Sequence, residues 1–121
     1  MQLVQEFNHY PAIHRIFSLV HDQEDAVFLD SSLKNQLGRY SIIGLNPYLK
    51  LANGEQFTIN GQICSEKFET WVKKYLKTHK EKNNTGLPLV SGAIGYFSYD
   101  YGRQKEKILS RHEQKLLIPD C

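Results

Sequence analysis

Two Asn-Gly pairs, Asn53-Gly54 and Asn60-Gly61, punctuate the middle of this chain of 121 residues and restrict what it can fold into there. Each pair lies between short strand-prone runs: YLKLA before the first, EQFTI between the two, and QIC after the second. A two-residue hairpin whose twist matches its strands needs φ > 0 at both central residues, which Asn and Gly tolerate best. Two such turns predict a three-stranded antiparallel meander, with Tyr48, Leu49, Leu51, Phe57 and Ile59 as its apolar content. A helix pattern follows. Ser65 is placed to cap it, Glu66 and Glu69 sit near its positive end, and Lys73, Lys74, Lys77 and Lys80 lie toward its negative end. Phe68, Trp71, Val72, Tyr75, Leu76 and His79 recur at helical spacing and form one face.

Ahead of the meander, Pro11 to Val20 reads as a short helix: proline suits a first helical position, and Ile13, Ile16, Phe17 and Val20 form a stripe with His14 and Arg15 off it. The acidic loop HDQED leads to AVFL, too short for a helix and suited to a buried strand. The polar stretch SSLKNQLGR contains Gly38, and Tyr40 to Ile43 reads as a second strand that Asn46-Pro47 stops. Beyond the long helix, residues 80–86 form a polar connector. Leu87 to Tyr99 reads as strand interrupted at Gly92 and Gly95. Arg103 to Gln114 is charged and ambiguous, and LLIPDC is an apolar run where another strand is expected. The pattern defines an α+β fold, a mainly antiparallel sheet with two or three helices. It reads as an incomplete half of a larger β-sandwich-like α+β domain.

Function classes can be excluded from composition and spacing. The chain is 40% hydrophobic and 23% charged, so it has the means to fold. Its 15 Lys+Arg against 13 Asp+Glu give a net charge of +2, no electrostatic case for nucleic acid or an anionic membrane. The basic run from Lys73 to Lys82 reads as a solvated helix face and the loop after it. Cys64 and Cys121 have no CxxC spacing, which fits a reduced, cytoplasmic protein. The start shows no signal-peptide pattern, and no apolar run approaches the roughly 20 residues that span a bilayer. The five histidines make no metal-ligand spacing, and neither a phosphate-binding glycine motif nor a GxSxG elbow is present. Glycines in SGAIGYFSYDYG read as bulges or close approaches in a strand.

Asp30-Ser31-Ser32, at the end of a predicted strand, leaves two readings open. A carboxylate beside hydroxyls can hold a ligand ammonium, with Arg39 available for a carboxylate. The same residues also suit an Asx or Ser/Thr turn.

Taken in order, FLDSS, GRYSIIGLNP, a meander, a helix and SGAIGYFSYDYGR running toward LIPDC resemble the amino-terminal domain of component I of aminodeoxychorismate and anthranilate synthases. The resemblance runs from about Ala26 to Cys121. It implies that residues 1–121 are the amino-terminal part of such a component, without the carboxy-terminal part that holds chorismate and Mg²⁺. It implies that component II, a glutamine amidotransferase, supplies ammonia to the parent enzyme. No catalytic residue, metal ligand or cofactor site is therefore expected in these residues. What the resemblance carries over is part of a tryptophan pocket. Phe28-Leu29-Asp30-Ser31 is similar to the family's Leu-Leu-Glu-Ser, with an acidic arm one methylene shorter, and Arg39 and Tyr40 resemble the opposite wall. Leu29, Asp30, Ser31, Arg39 and Tyr40 are thus the expected site residues.

Two features favour the aminodeoxychorismate branch, which leads to para-aminobenzoate and folate. About 44 residues separate Pro47 from Gly92, fewer than anthranilate synthases usually carry, and Tyr99-Asp100-Tyr101-Gly102-Arg103 is similar to the Tyr-Asp-Leu-Gly-Arg of that branch. The alternatives are the anthranilate branch, with feedback binding of tryptophan, and a free-standing amino-acid-binding or structural module. Strands missing from the sheet are expected to leave an unpaired edge and make the chain self-associate.

Overall fold

In the computed structural model, which describes residues 3–33, 35–106 and 118–121, the Asn60-Gly61 pair makes the turn expected of it. Asn60 has φ 49° and Gly61 φ 78°, and they join β4 (Phe57–Ile59) to β5 (Gln62–Ile63) with Ile59 opposite Gln62. The Asn60 side chain accepts the Lys50 N–H at 2.8 Å, which ties the turn to the strand before it. Asn53-Gly54 behaves differently. β3 (Leu51–Asn53) pairs with β4 so that Asn53 faces Phe57, leaving a three-residue loop rather than a two-residue turn. The reason is on the far side of β3: the Asn53 N–H donates to the Cys121 carbonyl at 2.7 Å, and its carbonyl accepts the Asp120 N–H at 2.7 Å. Held between two neighbours, Asn53 stays extended and cannot take the positive φ of a tight turn.

The chain divides into two compact units, Met1–Tyr48 and Leu49–Cys121. In the second, β3, β4 and β5 form an antiparallel sheet, and the long helix α2 (Phe68–Thr78) follows. The expected cap at Ser65 is not made: Lys67 is the N-cap and offers no side-chain bond. Phe68, Trp71, Val72 and Tyr75 are half-buried along one face of α2, whereas Leu76 and His79 at its end are exposed. Phe57 is the one hydrophobic side chain among the described residues that is buried, at 6% exposure. It sits edge-on to Phe68 (centroids 5.4 Å apart) and Trp71 (5.9 Å), the offset geometry aromatic rings prefer.

The strand expected over Leu87 to Tyr99 is not formed. Residues 87–98 make no ladder, and Tyr99–Lys105 is a helix, α3. Ser98 sets the change, because its Oγ accepts the Tyr101 N–H at 3.0 Å as a cap while donating to the Asp120 carboxylate at 2.8 Å. The apolar run at 118–121 does lie beside β3, through the Asn53 bonds, and its Asp120 carbonyl also accepts the Ser98 N–H. The ambiguous stretch from Arg103 to Gln114 is helical as far as Lys105, and its part after Glu106 lies outside the described residues.

In the first unit, the helix expected over Pro11 to Val20 is α1 (Ile13–Phe17), followed by turns. Its stripe is as read: Ile13, Ile16, Phe17 and Val20 are half-buried, and His14 and Arg15 exposed. Phe17 stacks on Phe28 of β1 (Val27–Leu29) with ring centroids 4.8 Å apart. β1 pairs antiparallel with β2 (Ile42–Gly44), two residues later than the expected start at Tyr40. Two antiparallel sheets and three helices make the described residues an α+β structure.

Candidate functional site

The β1–β2 ladder ends at Leu29 opposite Ile42, and the next positions in that register place Asp30 opposite Ser41 and Ser31 opposite Tyr40. There, side chains take over from the backbone. Ser41 Oγ donates to Asp30 Oδ1 at 2.8 Å and accepts the Ser31 N–H at 3.2 Å, while Ser31 Oγ donates to the Tyr40 carbonyl in a short bond. Asp30 and Ser31 therefore reach across to the facing strand and do not form the local Asx or Ser/Thr turn.

The connecting loop is folded tightly by two residues. Asn35 Oδ1 accepts the N–H groups of Leu37 (2.8 Å) and Gly38 (2.7 Å), an Asx turn. A Cβ on Gly38 would lie 2.1 Å from the Leu33 carbonyl oxygen, so only glycine fits. Together they shape an open depression of about 490 Å³ lined by Ser31, Asn35, Gly38, Arg39 and Ser41. The Arg39 guanidinium lies 5.6 Å from the centre of the Tyr40 ring, and among the described residues it makes no ion pair.

Of the five site residues read from the sequence, Ser31 and Arg39 line the depression directly. Asp30 joins it through Ser41, and Tyr40 through its carbonyl and through Arg39. Leu29 closes the ladder beneath, 48% exposed, and is not in the lining. The sequence reading missed Asn35, Gly38 and Ser41. Asn35 and Gly38 carried a signal in their spacing as turn formers; Ser41 carried one only through register, which the sequence does not state.

A second polar cluster lies in the unit Leu49–Cys121. Tyr101 of α3 donates a short hydrogen bond to Glu69 of α2. Burial, and then the bond and charge of Glu69, push the Tyr101 phenol well above its ordinary range. The Cys121 thiol is also raised, by burial first, against the pull of an Asn53 side-chain hydrogen bond. Both groups are thus held neutral and protonated, the opposite of an activated nucleophile. Among the described residues, no group of three or more His, Cys, Asp or Glu gathers to hold a metal. No helix there is long and apolar enough to cross a membrane.

The fold and this site describe an α+β chain with a small polar depression at a strand end. In sequence it is similar to proteins that carry one name. It is 31% identical over 110 residues to anthranilate synthase component 1 of Acetivibrio thermocellus, covering 83% of this chain and 22% of the relative. It is 36% identical over 88 residues to anthranilate synthase component 1 of Saccharomyces cerevisiae, covering 70% and 16%. The protein of that name from Lactococcus lactis subsp. lactis is 36% identical over 74 residues, covering 57% and 16%. The chain spans about a fifth of the length of the curated relatives it matches. No family profile and no solved structure matches it. The relatives carry the name of the anthranilate branch, the alternative that the sequence left open, and lend no support to the aminodeoxychorismate branch.

Proposed function

We propose that this chain is an amino-terminal segment of an anthranilate synthase component 1, and that its β1–β2 end supplies part of a tryptophan-binding pocket. The observation that carries the reading is the shared name of the three relatives, matched over 57–83% of the chain. The geometry supports it: two serine hydroxyls and an arginine free of ion pairs among the described residues line one depression, and the exposed Asp30 carboxylate is bonded to one of those serines. An amino acid offers the complementary charges, its ammonium to Asp30 and its carboxylate to Arg39. In this reading the parent enzyme uses chorismate, Mg²⁺ and ammonia from a component II, and none of that chemistry falls on the residues described. The aminodeoxychorismate reading rests on Tyr99 to Arg103 and the short Pro47–Gly92 spacing.

Grafting tests the proposal. The matching segment of the Acetivibrio thermocellus component is replaced by this chain, and anthranilate formation from chorismate, Mg²⁺ and ammonia is followed by chromatography. The graft is expected to form anthranilate where the same component lacking the segment does not. A soluble graft without activity would contradict the proposed family.

A further inference from the structure

We infer that Asn53-Gly54 is a self-modification site gated by residues 118–121: when that segment lifts from β3, the Gly54 nitrogen attacks the Asn53 carboxamide and converts the asparagine to aspartate or isoaspartate. The inference stands apart from the amino-acid reading above. Three observations carry it. Asparagine followed by glycine is open to this chemistry because no side chain shields the attacking nitrogen. Gly54 is exposed in its loop, and its N–H makes a long bond of 3.4 Å to the Gln56 carbonyl. And the outer side of Asn53 is held by a segment that forms no ladder. Its N–H donates to the Cys121 carbonyl and its carbonyl accepts the Asp120 N–H, both at 2.7 Å, while its side chain hydrogen-bonds the Cys121 thiol. The other pair serves as an internal comparison. The Asn60 N–H donates to the Lys50 carbonyl and its side-chain oxygen accepts the Lys50 N–H, both at 2.8 Å, so these bonds do not depend on residues 118–121.

In the reaction, the Gly54 amide nitrogen bonds to Asn53 Cγ as it gives up its proton, the Cγ–Nδ2 bond breaks, and ammonia leaves. Water then opens the cyclic imide at either carbonyl, and nothing is oxidised or reduced. With residues 118–121 in place, the backbone of Asn53 stays extended and its carboxamide is held to the thiol, so Cγ cannot turn back over the Gly54 nitrogen. The product keeps the segment from returning. Isoaspartate lengthens the main chain by a methylene and moves the groups that Cys121 and Asp120 bond. Aspartate loses the amide donor and adds a negative charge beside Asp120 and Glu69, whose charges already act on the thiol. Because Asp120 also holds Ser98, the cap of α3, the change at β3 reaches that helix.

The test is incubation of the 121-residue chain in mildly alkaline buffer, native and in urea. Mass spectrometry and chromatography of the peptides then measure acid formed at positions 53 and 60. In urea the two asparagines are expected to convert at rates within about threefold of each other, and in the native chain Asn53 should outpace Asn60 by more than about fivefold, since its protection is the more local. Asp120→Ala, which removes the acceptor of the Ser98 hydroxyl, should speed conversion at Asn53 about tenfold and leave Asn60 unchanged. Gly54→Ala should slow Asn53 in every condition; its added carbon would lie 3.6 Å from the Pro119 Cα, an ordinary contact that the fold accepts. Native conversion at Asn53 no faster than at Asn60, or none at all, would overturn the inference in the unaltered chain, whatever the variants do. Equal acceleration of both asparagines by Asp120→Ala would overturn the gate. Conversion at an unaltered rate in Gly54→Ala would overturn the attack by the Gly54 nitrogen.

Discussion

At the scale of single residues, the β1–β2 end shows how little separates a turn from a site. Asp30 and Ser31 were legible as chemistry-bearing residues, but the sequence left open whether they served the chain or a ligand. The structure answers the local half of that question, since their side chains bond Ser41 and Tyr40 across the strand pair. Ser41 could not be read because its importance comes from lying opposite Asp30, and register follows from pairing that no local pattern displays. Gly38 offers a test of the loop that surrounds them. Gly38→Ala places a methyl against the Leu33 carbonyl, a backbone atom that cannot swing aside. Forced overpacking of this kind typically destabilises by about 1–3 kcal/mol. The expected outcome is faster hydrogen exchange at the Leu37 amide, whose partner is Asn35. Unaltered exchange would mean that the loop has room to give.

At the scale of elements, the meander and α2 were legible because each has a strong local pattern, alternation between Asn-Gly pairs and a clean apolar stripe. What failed were the details decided by partners distant in sequence. Asn53 is kept from its turn by Asp120 and Cys121, and Ser98 turns an expected strand into the cap of α3 because Asp120 engages it. β4 and α2 meet at Phe57, so Phe57→Ala is expected to cost about 3–5 kcal/mol, the usual range for a buried phenylalanine. Urea unfolding followed by the fluorescence of Trp71, whose ring lies 5.9 Å from that of Phe57, measures it. A loss below about 1 kcal/mol would show that the aromatic cluster contributes little.

The bond between Glu69 of α2 and Tyr101 of α3 also carries a pH dependence. The unperturbed values are 9.0 for the Cys121 thiol and 10.0 for the Tyr101 phenol, and folding raises both. An acid that is raised in the folded state binds its proton more tightly there than in the unfolded chain. Its contribution is therefore complete below the unfolded value and is lost as pH climbs beyond it. The urea midpoint read at Trp71 should hold steady up to about pH 9 and fall from there to about pH 11. Tyr101→Phe should start lower and decline less over that interval. A midpoint that is flat to about pH 11 would contradict the raised values.

At the scale of the whole molecule, large apolar side chains stand in water in both units. Leu3 is 93% exposed, Leu37 95% and Tyr99 86%, and the β1–β2 sheet has only two strands of three residues. Two-stranded sheets of that length are marginal by themselves, and exposed apolar surface with open edges favours association. Light scattering across a concentration series is expected to show the mean mass rising with concentration. A monomer throughout would show that the exposed side chains do not form a sticky surface. The α+β class was legible at this scale because pattern alone sets it. The division at Tyr48 was not, since Asn46-Pro47 reads equally well as a turn within one unit.

The measurement that bears most directly on the central claim is tryptophan inhibition of the grafted Acetivibrio thermocellus component, with and without Asp30→Ala. If the β1–β2 end is part of a tryptophan pocket, anthranilate formation by the graft falls as tryptophan is added. Asp30→Ala then raises the tryptophan needed by about ten- to a hundredfold, as loss of a charge-assisted hydrogen bond would. Inhibition at the same tryptophan concentration with and without the aspartate, or an active graft that tryptophan does not inhibit, would contradict the account.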